Sequence, residues 1–339
     1  MSTSVCIAID VMGGDHGPRC VVPAAADALR RNPDLHLLLV GLRQPLLDEV
    51  ERHALPADRV TLHFCTETIE ADDSPASMLR GKRDASMRVA LELLRDGAAD
   101  GCLSAGNTGA LMVLSRSLLG MLEGVERPAI MAALPVAGKP CHVLDLGANV
   151  DCSARQLFEF ALMGSVAVSE MYGLPSPRIG LLNIGHELNK GGQQVREVSE
   201  LLRQCASLNY IGHVEGDGLF RDQADVVVCD GFVGNVVLKA SEGLAVYLQQ
   251  EIRQALANSL LLRCMAPLLR RALRPVTQRH DPTAYNGASL LGLPKVVVKS
   301  HGAAGEQAFA AAIDYTVRAC QAGLPQRIAG RVAQVDRSL

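Results

Sequence analysis

The chain has 339 residues, with 33 Lys plus Arg against 36 Asp plus Glu, 48% hydrophobic residues and 3% aromatics. That composition excludes the disordered and fibrous classes and can fill a large core. A net charge of -3 with no Trp, five Tyr and six Phe gives neither the basic field nor the stacking platforms of a sequence-tolerant nucleic-acid binder, so no nucleic-acid partner is expected.

Short apolar runs alternate with segments of helical period. Strands are expected at 5–9, 36–40, 60–64, 101–103, 129–133, 141–146, 178–182, 210–213, 226–229 and 296–299. Helices are expected at 19–31, 43–53, 85–96, 108–119, 154–172, 192–206, 234–257 and 306–322. Most strands are nearly continuous in apolarity, as parallel strands covered on both faces should be. The fold class is therefore α/β with a mostly parallel sheet. No repeat or low-complexity linker divides the chain, so residues 1–339 read as one large α/β catalytic domain. Within it, residues 246–280 carry six Arg against one acid and form a basic amphipathic excursion.

Ten Cys are scattered without a C-x-x-C pair or a short Cys/His spacing, which implies buried thiols in a reducing cytoplasm rather than a zinc site. The N-terminus enters its first strand without a basic, cleavable leader, and no window reaches the roughly 18 uninterrupted apolar residues of a spanning helix.

In an open α/β sheet, ligands bind where strands end and helices begin. Those loops are Gly-rich here: DVMGGDHGP, SAGNTGA, DLGANVDCS, NIGHELNKGG, DGFVGNV and KSHGAAGE. Glycines let backbone N–H groups approach an anion, and helix N-termini add partial positive charge. Several such loops together point to an extended anionic ligand. Gly106, Asn107, Thr108 and Gly109 can shape an anion nest, or form an ordinary turn capped by Thr108. Lys190 can pair with phosphate or polarise a carbonyl, or be a solvated surface lysine. Asn235 can be a ligand or a helix cap. His16 and His301 can act as acid or base on one rim, or bond backbone. Arg80, Lys82 and Arg83 form a basic cluster before a helix capped by Asp84. Asp10, Asp15, Asp145, Asp151 and Asp230 lack metal-ligand spacing and are expected to cap and brace loops. The dinucleotide fingerprint and the Gly-Lys-Ser/Thr phosphate loop are both absent, so no cofactor and no metal are expected.

Taken together, these motifs resemble the phosphate acyltransferase family, the acyl-acyl-carrier-protein:phosphate transacylases of bacterial phospholipid synthesis. The resemblance runs in order from residue 5 to about 320. It implies a Rossmann-like three-layer α/β/α fold similar to isocitrate and isopropylmalate dehydrogenases and to phosphotransacetylase, with a protruding amphipathic helical hairpin. It also implies a homodimer that converts fatty acyl-acyl carrier protein and inorganic phosphate into acyl phosphate, which a downstream membrane acyltransferase transfers to glycerol 3-phosphate. Catalysis falls by this resemblance to Lys190 and Asn235, and His16 or His301 is expected to assist proton balance. The resemblance also carries over Gly13, Gly14, Asp15, Asn107, Thr108 and Asn149, and these, with Gly106, Lys82 and His301 from the loop reading, are expected to bind substrate and phosphate. Two departures from the family pattern are His186 beside the NKGG turn and Pro294-Lys295 before the last strand.

The basic excursion has apolar mass in Leu256, Leu260, Leu261 and Met265 and cations in Arg263, Arg270 and Arg271, with Pro267 expected to kink it. Such a segment suits an anionic membrane surface or acidic carrier protein, placing the protein in the cytoplasm and peripherally on the inner face of the membrane. A dimer-interface or core helix pair is the plainer alternative. The functional alternatives are a phosphotransacetylase taking acyl-coenzyme A, a decarboxylating dehydrogenase, and a non-catalytic carrier-protein or membrane scaffold. A covalent route through Cys102, Cys152 or Cys229 competes with direct attack by phosphate.

Overall fold

The computed structural model describes residues 4–70, 73, 75–136, 139–187, 190–257, 271 and 285–336. Its strands are β1 (Val5–Asp10), β2 (Leu35–Leu42), β3 (Val60–Cys65), β4 (Gly101–Ser104), β5 (Ala129–Leu134), β6 (Cys141–Leu144), β7 (Arg178–Leu182), β8 (Asn209–Val214), β9 (Val226–Val228), β10 (Ala288–Leu291) and β11 (Val296–Lys299). The helices are α1 (Pro18–Arg31), α2 (Arg43–His53), α3 (Pro75–Arg80), α4 (Ser86–Arg95), α5 (Thr108–Leu119), α6 (Ala154–Tyr172), α7 (Gln193–Gln204), α8 (Gly231–Ala257), α9 (Glu306–Gln321) and α10 (Leu324–Asp336).

All eleven strands join one sheet in the order β3-β2-β1-β4-β11-β10-β5-β6-β9-β7-β8. Most pairings are parallel, as the apolar strand pattern requires, but β10 is antiparallel to both β11 and β5, and β5 is antiparallel to β6. The half containing β1, β4 and β11 therefore runs opposite to the half containing β6, β9 and β7. The reversal separates the two sets of strand ends by little, because the central strands are short. Lys299 at the end of β11 pairs with Ala288, Ser289 pairs with Met131, and Ala132 pairs with Val143 one residue before the end of β6.

Side chains alternate between two cores. Ile7, Ile9, Val296, Val298, Phe158 and Phe309 lie in the core under α1, α6, α7, α9 and α10. Ala8, Cys102, Val143, Val227 and Val297 lie in the other, under α4, α5 and α8.

The sequence patterning misses three elements. β10 is four residues of ASLL without a β-branched side chain, and its pairing partners are remote in sequence. α3 is six residues long, and α10 carries Pro325 and Gly330, which read as breakers outside a helical context. α8 begins at Gly231, three residues before the expected start, because the Asp230 carboxylate accepts from the Val233 amide at 2.8 Å and caps it. The described part of α8 ends at Ala257. Among the described residues no helix is long and apolar enough to cross a membrane.

Candidate active site

Two loop clusters form at the strand ends, each built around a buried carboxylate. In the first, Asp10 ends β1 and accepts from Ser86 Oγ at 2.7 Å and Ser104 Oγ at 2.6 Å. Burial pushes its carboxyl up from the ordinary range, against the pull of these hydroxyls and of backbone donors. The Gly13 backbone then approaches the β4 loop so closely that a Cβ there would lie 2.6 Å from the Gly106 nitrogen. Gly14 adopts φ +83 in the same approach, and the Asp15 amide donates to the Gly302 carbonyl at 2.9 Å. DVMGGD, SAGNTG and KSHG thus form one wall.

In the second, Asp145 follows β6 and accepts from the amides of Ile130 (2.9 Å), Ala148 (3.0 Å) and Asn149 (2.7 Å). Burial again raises its carboxyl against these donors. The loop carries on to α8, where the Gly231 amide donates to the Asn149 carbonyl at 2.8 Å. A Cβ on Gly147 would lie 3.5 Å from the Cβ and Cγ of Asn235. The turn after β7 joins through Gln194, whose amide donates to the Cys152 carbonyl. The Asn183 amide meanwhile holds the Lys190 carbonyl at 3.2 Å.

α8 joins the two clusters. Its first turns carry Asn235 against Gly147, and seven residues on, Glu242 Oε1 stands 3.8 Å from His301 Nε2. At 1.5 Å per residue that interval is about 10 Å, the scale of a phosphate beside a thioester.

The expected site residues divide by what their side chains already do. Lys190, Asn235, Thr108, His16 and Asp15 are exposed. Asn235 lies inside α8 with Asp230 as cap, which removes the capping explanation for it. His301 accepts from the Ala303 amide at Nδ1 (3.1 Å), leaving Nε2 toward Glu242. Asn107, and not Thr108, caps α5, accepting from the Ala110 amide at 2.9 Å. Asp84 accepts from Thr66 while Ala85 takes the cap position of α4.

Asn149 is buried, with Nδ2 donating to Pro128 O at 2.8 Å and to Asp145 at 2.9 Å, so it braces the loop instead of facing a ligand. Lys82 pairs with Asp73 and donates to the Thr68 carbonyl at 2.8 Å, so its charge is answered locally. Leu260, Leu261, Arg263, Met265 and Arg270 lie outside the described residues. Leu256 is part-buried on α8 and Arg271 is exposed.

Burial raises the thiols of Cys102, Cys229 and Cys152, the last to about 11, which opposes the thiolate a covalent route needs. Of the departures, His186 Nδ1 meets the His213 carbonyl at 3.1 Å and its Nε2 lies 3.4 Å from Glu215. Lys295 lies in the turn between β10 and β11, on the hairpin the sequence patterning missed. Lys299 is a further residue that sequence reasoning passed over. It ends β11 beside His301, where a lysine within an apolar strand pattern is the signal.

The model of the fatty acid synthesis protein family matches residues 5–327. A phosphate acyltransferase from Halorhodospira halophila is 48% identical over 336 residues, covering 99% of this chain and 98% of the relative. One from Pseudomonas paraeruginosa is 52% identical over 331 residues, covering 96% and 97%. Among solved structures, a phosphotransacetylase from Streptococcus pyogenes superposes with TM-score 0.63 at 18% identity, covering 94% of each chain. One from Staphylococcus aureus gives 0.61 at 15%, covering 94% of this chain and 95% of the other. These two similarities carry the fold.

Proposed function

Since the chain belongs to the fatty acid synthesis protein family and is similar over nearly its whole length to phosphate acyltransferases, we propose that it transfers a fatty acyl group from acyl-acyl carrier protein to inorganic phosphate, on the face where α8 joins the two loop clusters. The single observation that carries the site is the seating of Asn235 against Gly147, on the loop whose Cys152 carbonyl receives the Gln194 amide from the helix that follows Lys190.

A phosphate oxygen attacks the thioester carbonyl carbon, the carbonyl oxygen takes up the negative charge, and the C–S bond breaks. The carrier leaves as a thiolate with a pKa near about 8.5 and takes a proton on release. Lys190 and Asn235 stabilise the oxyanion, the Gly13–Gly14 and Gly106–Thr108 loops hold phosphate, and His16 or His301 handles the proton. No enzyme nucleophile is required.

The protein acts as a homodimer. α8 supports this by exposing Phe232, Val236, Leu244, Tyr247, Leu248 and Ile252, an apolar load that a monomer would leave in water. The basic segment 246–280 docks on acidic carrier protein or anionic lipid at the inner membrane face, delivering acyl phosphate to the glycerol 3-phosphate acyltransferase there. The excursion is part of one catalytic domain, 1–339.

The test is acyl phosphate trapped as a hydroxamate, with palmitoyl-acyl carrier protein and palmitoyl-coenzyme A run in parallel. Product from the carrier-protein donor supports the reading. Product from coenzyme A alone makes the protein a phosphotransacetylase, and turnover with neither leaves a binding scaffold.

A further inference from the structure

Three polar residues stand side by side at the ends of three adjacent parallel strands. Ser104 of β4 pairs with Asp10 of β1 on one side and with Lys299 of β11 on the other. All three fall on the sheet face that carries Ala8, Cys102 and Val297, the face that α5 and α8 cover. Asp10 is occupied by two hydroxyls. Lys299 Nζ donates to the Ala105 carbonyl at 3.1 Å and to the Ser300 carbonyl. Those are neutral acceptors, and Asp10 and Asp15 act on the ammonium only through their field, as does Lys239 on α8 with the same sign of charge as Lys299. Lys239 itself pairs with Glu242 at 2.8 Å, the carboxylate that also faces His301.

An ammonium has three N–H donors. Two of them reach carbonyls of the loops that shape the first wall. A part-buried cation whose hydrogen bonds go only to neutral carbonyls, with a donor left over, is an arrangement that an anion completes.

We propose that Lys299 is the cation of the phosphate subsite, holding inorganic phosphate at the rim where the Gly13–Gly14 and Gly106–Thr108 turns meet, while its other hydrogen bonds fix Ala105 beneath them. This inference rests on the placement of the active site given above and adds to it the residue that binds the attacking group.

The experiment varies inorganic phosphate at saturating palmitoyl-acyl carrier protein in the full-length protein and its Lys299→Met and Lys299→Arg variants. Losing a charge-assisted hydrogen bond to phosphate should raise the KM for phosphate by about 10- to 100-fold in Lys299→Met, with the KM for the acyl donor unchanged. Burial, reinforced by Lys239 and opposed by Asp10, holds the Lys299 amine down to about 8. The wild-type KM for phosphate should therefore climb above that pH relative to Lys299→Arg, whose guanidinium stays charged and whose substrate ionises identically.

A folded Lys299→Met protein with an unchanged phosphate KM overturns the proposal, as does an equal rise in both KM values. If Lys299→Met does not fold, the comparison with Lys299→Arg decides, and parallel pH profiles overturn it. Retained turnover in Lys190→Ala and Asn235→Ala would instead overturn the placement of the site. Lost turnover there with a normal phosphate KM in Lys299→Met removes the Lys299 inference alone.

Discussion

Asp145 and Asn149 close the loop after β6 upon each other: one carboxylate oxygen of Asp145 accepts both the backbone amide of Asn149 at 2.7 Å and its Nδ2 at 2.9 Å. Because the Asn149 carbonyl then receives the Gly231 amide at 2.8 Å, this pair sets where α8 begins and so where Asn235 stands. A buried asparagine and an exposed lysine that look alike as candidates in sequence should therefore fail in different ways.

Asn149→Ala removes a donor from a buried carboxylate and from the Pro128 carbonyl, which should cost about 1–3 kcal/mol. Lys190→Ala takes away an exposed side chain and should move stability by no more than about 0.5 kcal/mol. Its turnover should nevertheless drop by roughly 100- to 1,000-fold, as for an oxyanion donor. Thermal melting beside the hydroxamate assay separates the two. A stable Asn149→Ala protein would remove its bracing role, and an active Lys190→Ala protein would remove the catalytic one.

Gly234 gives a sign inversion. In a helix interior, Gly to Ala ordinarily stabilises by about 1 kcal/mol. Here a Cβ would fall 1.9 Å from the Asp145 carbonyl oxygen, a contact with backbone that no rotamer relieves. Gly234→Ala should lower the melting temperature and push α8 off the β6 loop, reducing turnover as well. Gly243, later in the same helix with open space around it, should show the ordinary stabilisation when changed to Ala. Equal behaviour of the two variants would contradict the close packing at Gly234.

Legibility followed locality. The parallel strands, the long helices and the Gly-rich strand-end loops could be placed from the sequence because each depends on a run of neighbouring residues. The reversal at β10 could not, since the pairing of Ser289 with Met131 is a relationship between distant segments. Within the site, residue type identified Lys190 and Asn235 as candidates but could not separate them from Asn149 and Lys82. What separates them is whether the polar atoms are already taken, and that depends on Asp145, Pro128 and Asp73. Lys299 was passed over because its meaning lies in the row it forms with Asp10 and Ser104 across three strands.

The proposed membrane contact makes a prediction about charge and apolar insertion together. A basic amphipathic segment binds anionic bilayers through both terms, and only the first is screened by salt. Vesicles containing phosphatidylglycerol should sediment with the protein at low salt and release most of it at high salt. Leu261→Glu should weaken binding at both salt concentrations. Binding that ignores both salt and Leu261→Glu would place the contact elsewhere.

Acid sensitivity should trace to His142, which lies buried on β6 with its ring against Tyr172 at 4.5 Å between centroids. Nδ1 faces the Asp225 carbonyl at 3.3 Å, whereas Nε2 has no partner among the described residues. Burial holds this imidazole down to about 4 from its ordinary 6.5, so between those values the unfolded chain binds a proton that the folded chain refuses. Stability from this residue is complete above about 6.5 and is lost as pH falls toward 4, by about 3 kcal/mol at the limit. Asp225, held below the usual carboxylate range by Arg178 against its own burial, contributes a loss only at lower pH, below its ordinary 3.8. Buried Asp10 and Asp145 are shifted upward and oppose the His142 effect, so the informative quantity is the difference between two proteins. Urea unfolding of the wild type and His142→Phe across pH 7 to 4 should show the wild type losing stability faster through that window. Parallel curves would mean that His142 is not the residue that acid reaches first.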